Sequence, residues 1–270
     1  NLCFGEFGLM NLIESKQNEK ILLIKKLQKD RSFRSKTGLI WIEGIHLIQE
    51  ATRSNCKFHS FYLTDKVSKS LELEVLLKEF ASGPTLANVI SEKVEREVFE
   101  TQSPQGIGAL IYKPIFSELS KDKPVLIIDE VQDPGNLGTL IRSAEASGIE
   151  NIILLKGTVD VWSGKVLRST MGSIFRMNIL EGCSIDILDF LHTQGYQLIG
   201  TTLKDASSYK ELEVTTKSAL ILGNEGRGIR TEILEKLDIK TYIPMNGLVE
   251  SLNVGVAGSI LMFYFYGKDC

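Results

Sequence analysis

Between residues 123 and 270 the sequence alternates short aliphatic runs with segments of helical period, and that alternation leaves few folds open. The runs "VLIID", "NIILL", "QLIGTT", "ALILG" and "KTYIP" are dominated by large apolar residues, several of them consecutive. A strand that is apolar on both faces has to be covered on both faces. Helical segments near 136–147, 162–170, 184–193, 229–236 and 251–266 separate these runs, and "IFRMNI" reads as one more strand. Strands alternating with helices in this way predict an α/β domain, a parallel sheet with helices on both sides.

Upstream, the polar stretch "YKPIFSELSKDKP" is bracketed by Pro114 and Pro124 and reads as a boundary, with a linker over 114–122. The part before it, 10–113, has the size of an ordinary single domain. Ile21, Ile24 and Leu27 recur at helical spacing and predict an amphipathic helix over 16–30. Strand "GLIWIEG", helix "IHLIQEATRS", strand "FHSFYLT", helix "LELEVLLKEF" and the strands "VIS" and "GIGALIY" follow, a small α/β module.

Composition removes several classes of function. No apolar stretch is long enough to span a bilayer. The N-terminus has no basic-then-apolar signal pattern, so a cytoplasmic location is expected. The residues from Asn1 to Leu9 do not begin with Met, and Met10 is the expected native start. Cys3, Cys56, Cys183 and Cys270 are far apart without a CxxC pair, which argues against a zinc site or a disulfide framework. His46, His59 and His192 are the only histidines, too few and too scattered for a metal cluster or a Ser-His-Asp triad, so no metal is expected. Net charge is −3, which excludes only blanket, charge-driven binding to nucleic acid. Locally, Lys20 to Lys36 holds seven basic residues against Asp30. Such a run is more often a solvated helix face than a phosphate-binding patch.

Three loops join a predicted strand to a helix: "DPGNLGTLIR", "LGNEGRGI" and "IPMNGLVESLNVGVAGS". In a parallel sheet, ligands sit beyond the carboxyl ends of the strands, where these loops lie. They are not dinucleotide or phosphate loops. "GNEGRG" spaces its glycines as GxxGxG, and no GxxxxGK[ST] occurs. Gly/Asn loops gathered at one side of a sheet suggest a ligand held mainly by backbone groups.

Taken together, "NLGTLIR", "LILGNEGRGI" and "IPMNGLVESLNVGVAGSI" resemble the three motifs of the SpoU (TrmH-like) branch of the SPOUT RNA methyltransferases. "GKVLRSTMGSIFRMNI" is similar to the stretch where that family has Pro-Lys and then Arg-x-Ser-x-Gly. The resemblance covers 123–270. "RSFRSKTGLIWIEGIHLIQEA" and "SPQGIGALIY" resemble the ribosomal-protein-like substrate-binding domain fused ahead of many members. The chain departs from the family at Gly255, where Ser is usual, and at Gly164, where Pro is usual.

The resemblance implies transfer of a methyl group from S-adenosylmethionine to a ribose 2'-hydroxyl in RNA, with ribosomal 23S RNA favoured as target. It also implies a homodimer packed through its first and last helices, and a deep trefoil knot in the C-terminal domain. The cofactor contacts it implies are Thr201, Gly223, Ile243, Met245, Leu252 and Asn253. Its catalytic set is Asn136, Arg142, Glu225, Ser251 and Asn253. Arg142 would act on the 2'-hydroxyl, either with help from an RNA phosphate or as a fixed charge that stabilises the developing alkoxide. Asn136 would orient Arg142 or the ribose, and Glu225 would hold substrate or pair with Arg142. RNA contacts are expected from Lys29, Arg31, Arg34, Lys36, Lys165 and Arg168. A transfer-RNA methyltransferase and a non-catalytic RNA-binding relative remain as alternatives, and a nucleotide-dependent oxidoreductase is disfavoured by the glycine spacing.

Overall fold

The computed structural model describes residues 11–68, 86–115, 118–248 and 251–267. The helix expected at "LELEVLLKEF" lies outside the described residues. The chain forms two compact units. One takes in the described residues up to Ile115 together with Trp162–Phe175, and the remaining described residues form the other.

The first unit contains β1 (Asn11–Ile13), α1 (Glu19–Lys29), α2 (Arg31–Thr37), β2 (Leu39–Glu43), α3 (Ile45–Arg53) and β3 (Phe58–Thr64). It continues with α4 (Asp65–Ser68), β4 (Leu86–Ile90), α5 (Glu92–Val98) and β5 (Ile107–Tyr112). Its sheet runs β1-β4-β3-β5-β2, with β5 antiparallel to both neighbours and the other pairings parallel. Ile21, Ile24 and Leu27 are buried, as their spacing predicts, against Trp41, Tyr62 and Leu110. The Asn18 side chain caps α1, accepting from the Lys20 N–H at 3.0 Å. The basic run is not one helix. It breaks at Asp30, whose carboxylate accepts from the Phe33 N–H at 2.9 Å and so starts α2.

The second unit begins with β6 (Val125–Ile128), α6 (Pro134–Ala146) and β7 (Asn151–Leu155). The chain then supplies α7 (Gly164–Ser169) and a 3-10 turn at Ser173–Phe175, inside the segment that clusters with the first unit. It returns through β8 (Asn178–Cys183), α8 (Ile187–Thr193), β9 (Gln197–Thr201), the two-residue β10 (Ser207–Ser208) and β11 (Ser218–Leu222). It ends with α9 (Thr231–Leu234), β12 (Ile239–Tyr242) and α10 (Val254–Tyr266). All seven strands are parallel, in the order β10-β12-β9-β11-β6-β7-β8. Every residue of β6, β7 and β11 is buried, the two-sided coverage that their aliphatic runs require.

One expectation needs correction. "IFRMNI" is not a strand from its start: Met171 and Gly172 turn the chain with positive φ, Ile174 and Phe175 bury in the turn, and β8 begins at Asn178. By packing, Trp162–Phe175 clusters with the first unit.

The small residues of α10 are used within the chain. Gly255 and Gly258 are buried, and a Cβ on Gly258 would overlap the side chains of Leu140 on α6 and Leu222 on β11. The Ser143 and Ser259 hydroxyls meet at 2.7 Å. Close approach of the two helices therefore depends on a missing side chain. Gly258→Val should destabilise the second unit by about 1–3 kcal/mol, read as a lowered midpoint in denaturant. An unchanged midpoint would show that the helix can move outward at no cost.

Candidate functional site

The carboxyl ends of β9, β11 and β12 and the start of α10 enclose a cavity of about 620 Å³. This is the edge of a parallel sheet where ligands are expected, and the size suits a nucleoside-sized ligand. Leu222, Ile229, Leu234, Val254 and Ala257 supply apolar lining, while Thr201, Asn224, Glu225, Ser251 and Asn253 supply polar groups.

The loop after β11 is held by its own Asn. Asn224 Oδ1 accepts from the Gly226 and Arg227 N–H groups at 3.0 and 3.1 Å, and its Nδ2 donates to the Glu130 carbonyl at 2.8 Å. Asn224 and Gly228 also exchange two backbone hydrogen bonds. Gly223 is required here, since a Cβ would overlap the backbone of Gly228 and Ile229. Beneath the loop, buried Asp129 accepts from the Arg230 backbone N–H at 3.0 Å and from its guanidinium at 2.8 Å.

This loop places Glu225 against the start of α6. Its carboxylate accepts from the N–H groups of Gln132 and Asp133 at 3.1 and 3.0 Å and from Asn136 Nδ2 at 3.0 Å. Asn136 is not in the loop, as expected from sequence, but in the first turn of α6. Asp133 caps the helix by accepting from the Asn136 N–H at 2.9 Å, and Pro134 opens it. Asn136 Oδ1 in turn accepts from Asn253 Nδ2 at 2.8 Å. Asn253 Oδ1 accepts from the N–H groups of Gly255 and Val256 at 2.9 and 3.2 Å, so Asn253, not Ser251, caps α10. One hydrogen-bonded chain thus ties Glu225 to Asn136, Asn253 and the last helix. Partial burial raises the Glu225 carboxyl, and the bonds from Asn136, Asp133 and Gln132 outweigh it, leaving the group below its ordinary value.

All six residues assigned to the cofactor (Thr201, Gly223, Ile243, Met245, Leu252 and Asn253) line the one cavity, with Glu225 and Ser251 beside them. Arg142 does not line it. It is exposed on α6 and has no hydrogen bond or ion pair with a described residue. Six residues on from Asn136, it stands about 9 Å farther along the helix and about 120° around it. Of the two roles expected of Glu225, holding substrate or pairing with Arg142, the pair is not formed: its carboxylate bonds Gln132, Asp133 and Asn136 instead.

Lys29, Arg31, Lys36 and Lys165 are exposed. Arg34 is not: it is 4% exposed, and its guanidinium donates to the Leu27 and Gln28 carbonyls at the end of α1. Arg168 is half-buried and bonds Glu43 at 2.8 Å and Glu100 at 3.3 Å. Burial pushes the Glu43 carboxyl up, and the Glu100 backbone N–H and Arg168 oppose the shift. Asp133, Asn224 and the Asp129–Arg230 pair were missed from sequence. Asp-Pro before a helix and Asn in a Gly-rich turn were the available signals for the first two.

Comparison with known proteins places these features in company. Residues 123–263 match the SpoU rRNA Methylase family, and residues 18–109 match the MRM3-like substrate binding domain. The chain is 38% identical, over 96% of its length and 100% of the relative's, to the 23S rRNA (guanosine(2553)-2'-O)-methyltransferase RlmP of Bacillus subtilis (strain 168). It is 31% identical, over 93% of its length and 92% of the relative's, to an uncharacterized tRNA/rRNA methyltransferase of Synechocystis. Among solved structures, the AdoMet-bound rRNA methyltransferase from Sinorhizobium meliloti superposes with a TM-score of 0.82 at 26% identity, covering 94% of this chain and 96% of that one.

The Glu225 carboxylate gives a pH test of the site. A carboxyl lowered on folding adds stability above its ordinary pKa, and that stability is lost as pH falls through the folded value. The midpoint of unfolding in denaturant should hold steady from neutral pH down to the ordinary carboxylate range and fall only below it. Glu225→Gln should remove that acid step. A variant with the same acid step would assign it to another group.

Proposed function

The chain belongs to the SpoU rRNA Methylase family, and on that premise we propose that it methylates a ribose 2'-hydroxyl in 23S ribosomal RNA, using S-adenosylmethionine. The observation that carries this reading is the convergence of the second and third motifs on one cavity of cofactor size, with the first motif tied to them by the Glu225–Asn136–Asn253 chain. The residues fit the cofactor: apolar walls suit an adenine ring, and the backbone groups of Gly223, Ile243 and Leu252, which line the cavity, are assigned to its polar edges. S-adenosylmethionine supplies an already activated methyl, so the protein has to align a hydroxyl and manage its proton.

Arg142 is the group assigned to the hydroxyl. A guanidinium keeps its proton at ordinary pH, so its role is a fixed positive charge beside the forming alkoxide, alone or shared with an RNA phosphate. Asn136 and Asn253 are positioning residues whose amides hold the loops, and Ser251, which lines the cavity just before α10, is assigned to the reacting groups. The first unit is assigned to RNA recognition, in line with its match to a substrate binding domain. The reading includes the family's trefoil knot, consistent with a cavity built from three loops of one sheet edge. Among the described residues no helix is long and apolar enough to cross a membrane, and a cytoplasmic location follows from the proposed RNA target.

A homodimer completes the reading. With Gly255 and Gly258 packed inward, α10 turns Val256, Ile260 and Phe263 outward, at 49%, 36% and 47% exposure. These positions recur at helical spacing and form an apolar stripe that a second copy would cover.

Three measurements test these assignments. Methyl-labelled adenosylmethionine and total RNA from cells lacking the gene should give label in 23S RNA, recovered as a 2'-O-methyl nucleoside. Label in transfer RNA would move the substrate, and none at all would favour the binding-only relative. Arg142→Ala should abolish transfer while calorimetry shows adenosylmethionine binding within about threefold of wild type. Ile260→Glu with Phe263→Glu should give a monomer by light scattering, and a persistent dimer would place the interface elsewhere.

A further inference from the structure

Beyond the cofactor site, one end of the first unit's sheet gathers cations around an exposed aromatic ring. Antiparallel pairing sets Leu39 beside Tyr112 and Phe58 beside Ile111, so the carboxyl end of β5 lies with the amino ends of β2 and β3. Two backbone bonds close this end: Tyr112 N–H to the Lys57 carbonyl at 2.8 Å, and Lys113 N–H to the Gly38 carbonyl at 2.7 Å. Because α2 enters β2 through Gly38, Lys36 sits at the same end. Lys113 is engaged over the Trp162 ring at 5.2 Å.

Tyr112 is 39% exposed, and its hydroxyl bonds no described residue. Lys57 Nζ stands 5.2 Å from its ring centroid, and the His59 ring meets it edge-on at 6.0 Å. Lys36 and Lys57 are exposed, and no ion pair with a described residue neutralises either. The nearest acid in the chain to Lys36, Asp30, has its carboxylate turned to the cap of α2. An aromatic face next to unneutralised ammonium groups matches the chemistry of an unpaired nucleotide: base on the ring, phosphates on the cations. A duplex hides its base faces and offers the ring nothing to stack on.

We propose that this end of the sheet is a stacking site for an unpaired RNA nucleotide, with the base on Tyr112 and the flanking phosphates on Lys36 and Lys57. It rests on the reading of the chain as an RNA methyltransferase, and it names the form of RNA that the first unit grips. Neither Tyr112 nor Lys57 belonged to the basic run singled out from sequence, and Tyr112 lies past the end of the matched substrate-binding segment.

Anisotropy titrations of the whole protein test it, with a fluorescent single-stranded oligouridylate, the same strand made abasic, and an RNA duplex as probes. The wild type should bind oligouridylate about tenfold tighter than the abasic strand. Tyr112→Ala should erase that difference, and Tyr112→Phe, which keeps the ring, should retain it. Lys36→Gln with Lys57→Gln should weaken both strands and reduce the salt dependence by about 0.7 per lysine. Because these lysines are on the surface, this pair reports even if Tyr112→Ala fails to fold. A base preference that survives in folded Tyr112→Ala, or tighter binding of the duplex, would overturn the stacking site. Adenosylmethionine binding and methyl transfer are measured on the same wild-type protein. Transfer without a base preference removes only this proposal, whereas a base preference without transfer removes only the enzymatic reading.

Discussion

Everything at the cofactor edge depends on what the amide of Asn136 does with its two ends. Its nitrogen donates to Glu225 and its oxygen accepts from Asn253, so one side chain reads two loops at once. The chain of bonds has a direction. Glu225 ionised can only accept, and Asn253 has its own oxygen committed to capping α10, leaving its nitrogen to give. An Asp at 136 would set a second carboxylate against Glu225 and return no proton to it. A Leu at 136 would leave both neighbours without their amide partner. One residue type at one place therefore joins the start of α6 to the Glu225 loop and to the cap of α10.

Much of this was legible beforehand, for reasons that can be traced. The aliphatic runs at β6, β7 and β11 had to be strands covered on both faces, and they are. The six residues that the family resemblance assigns to the cofactor line one cavity at the carboxyl ends of parallel strands. What escaped was contact between residues far apart in sequence. Nothing local in "DPGNLG" says that Asn136 faces Glu225, for which substrate or Arg142 had been the expected partners. Arg34 looked like one more surface cation, and only the end of α1 folding back over it makes it a buried donor. The apolar "IF" of "IFRMNI" fits a strand as well as a buried turn, and the positive φ of Met171 and Gly172 decides between them.

The segment Trp162–Phe175 has different neighbours in sequence and in packing. By sequence it lies inside the stretch matched to the methylase family. By packing it belongs to the first unit, where Arg168 answers the buried Glu43 and Gly172 lies against Glu50. Glu43 would be costly to bury alone. A chain cut at the polar stretch near 114–122 would separate Glu43 from Arg168, so the first unit is not expected to be whole without a loan from the second half of the sequence.

The bonds of the Glu225–Asn136–Asn253 chain span 89 and 117 positions in sequence. On a growing polypeptide, Asn136 is made long before either partner, and the cap of α10 comes last. The parallel sheet can begin to pair as its strands emerge, but the ligand-binding edge has no early form. Synthesis therefore carries its own timer. The bonds that tie this edge together can form only after Asn253 has been made, 117 positions beyond Asn136.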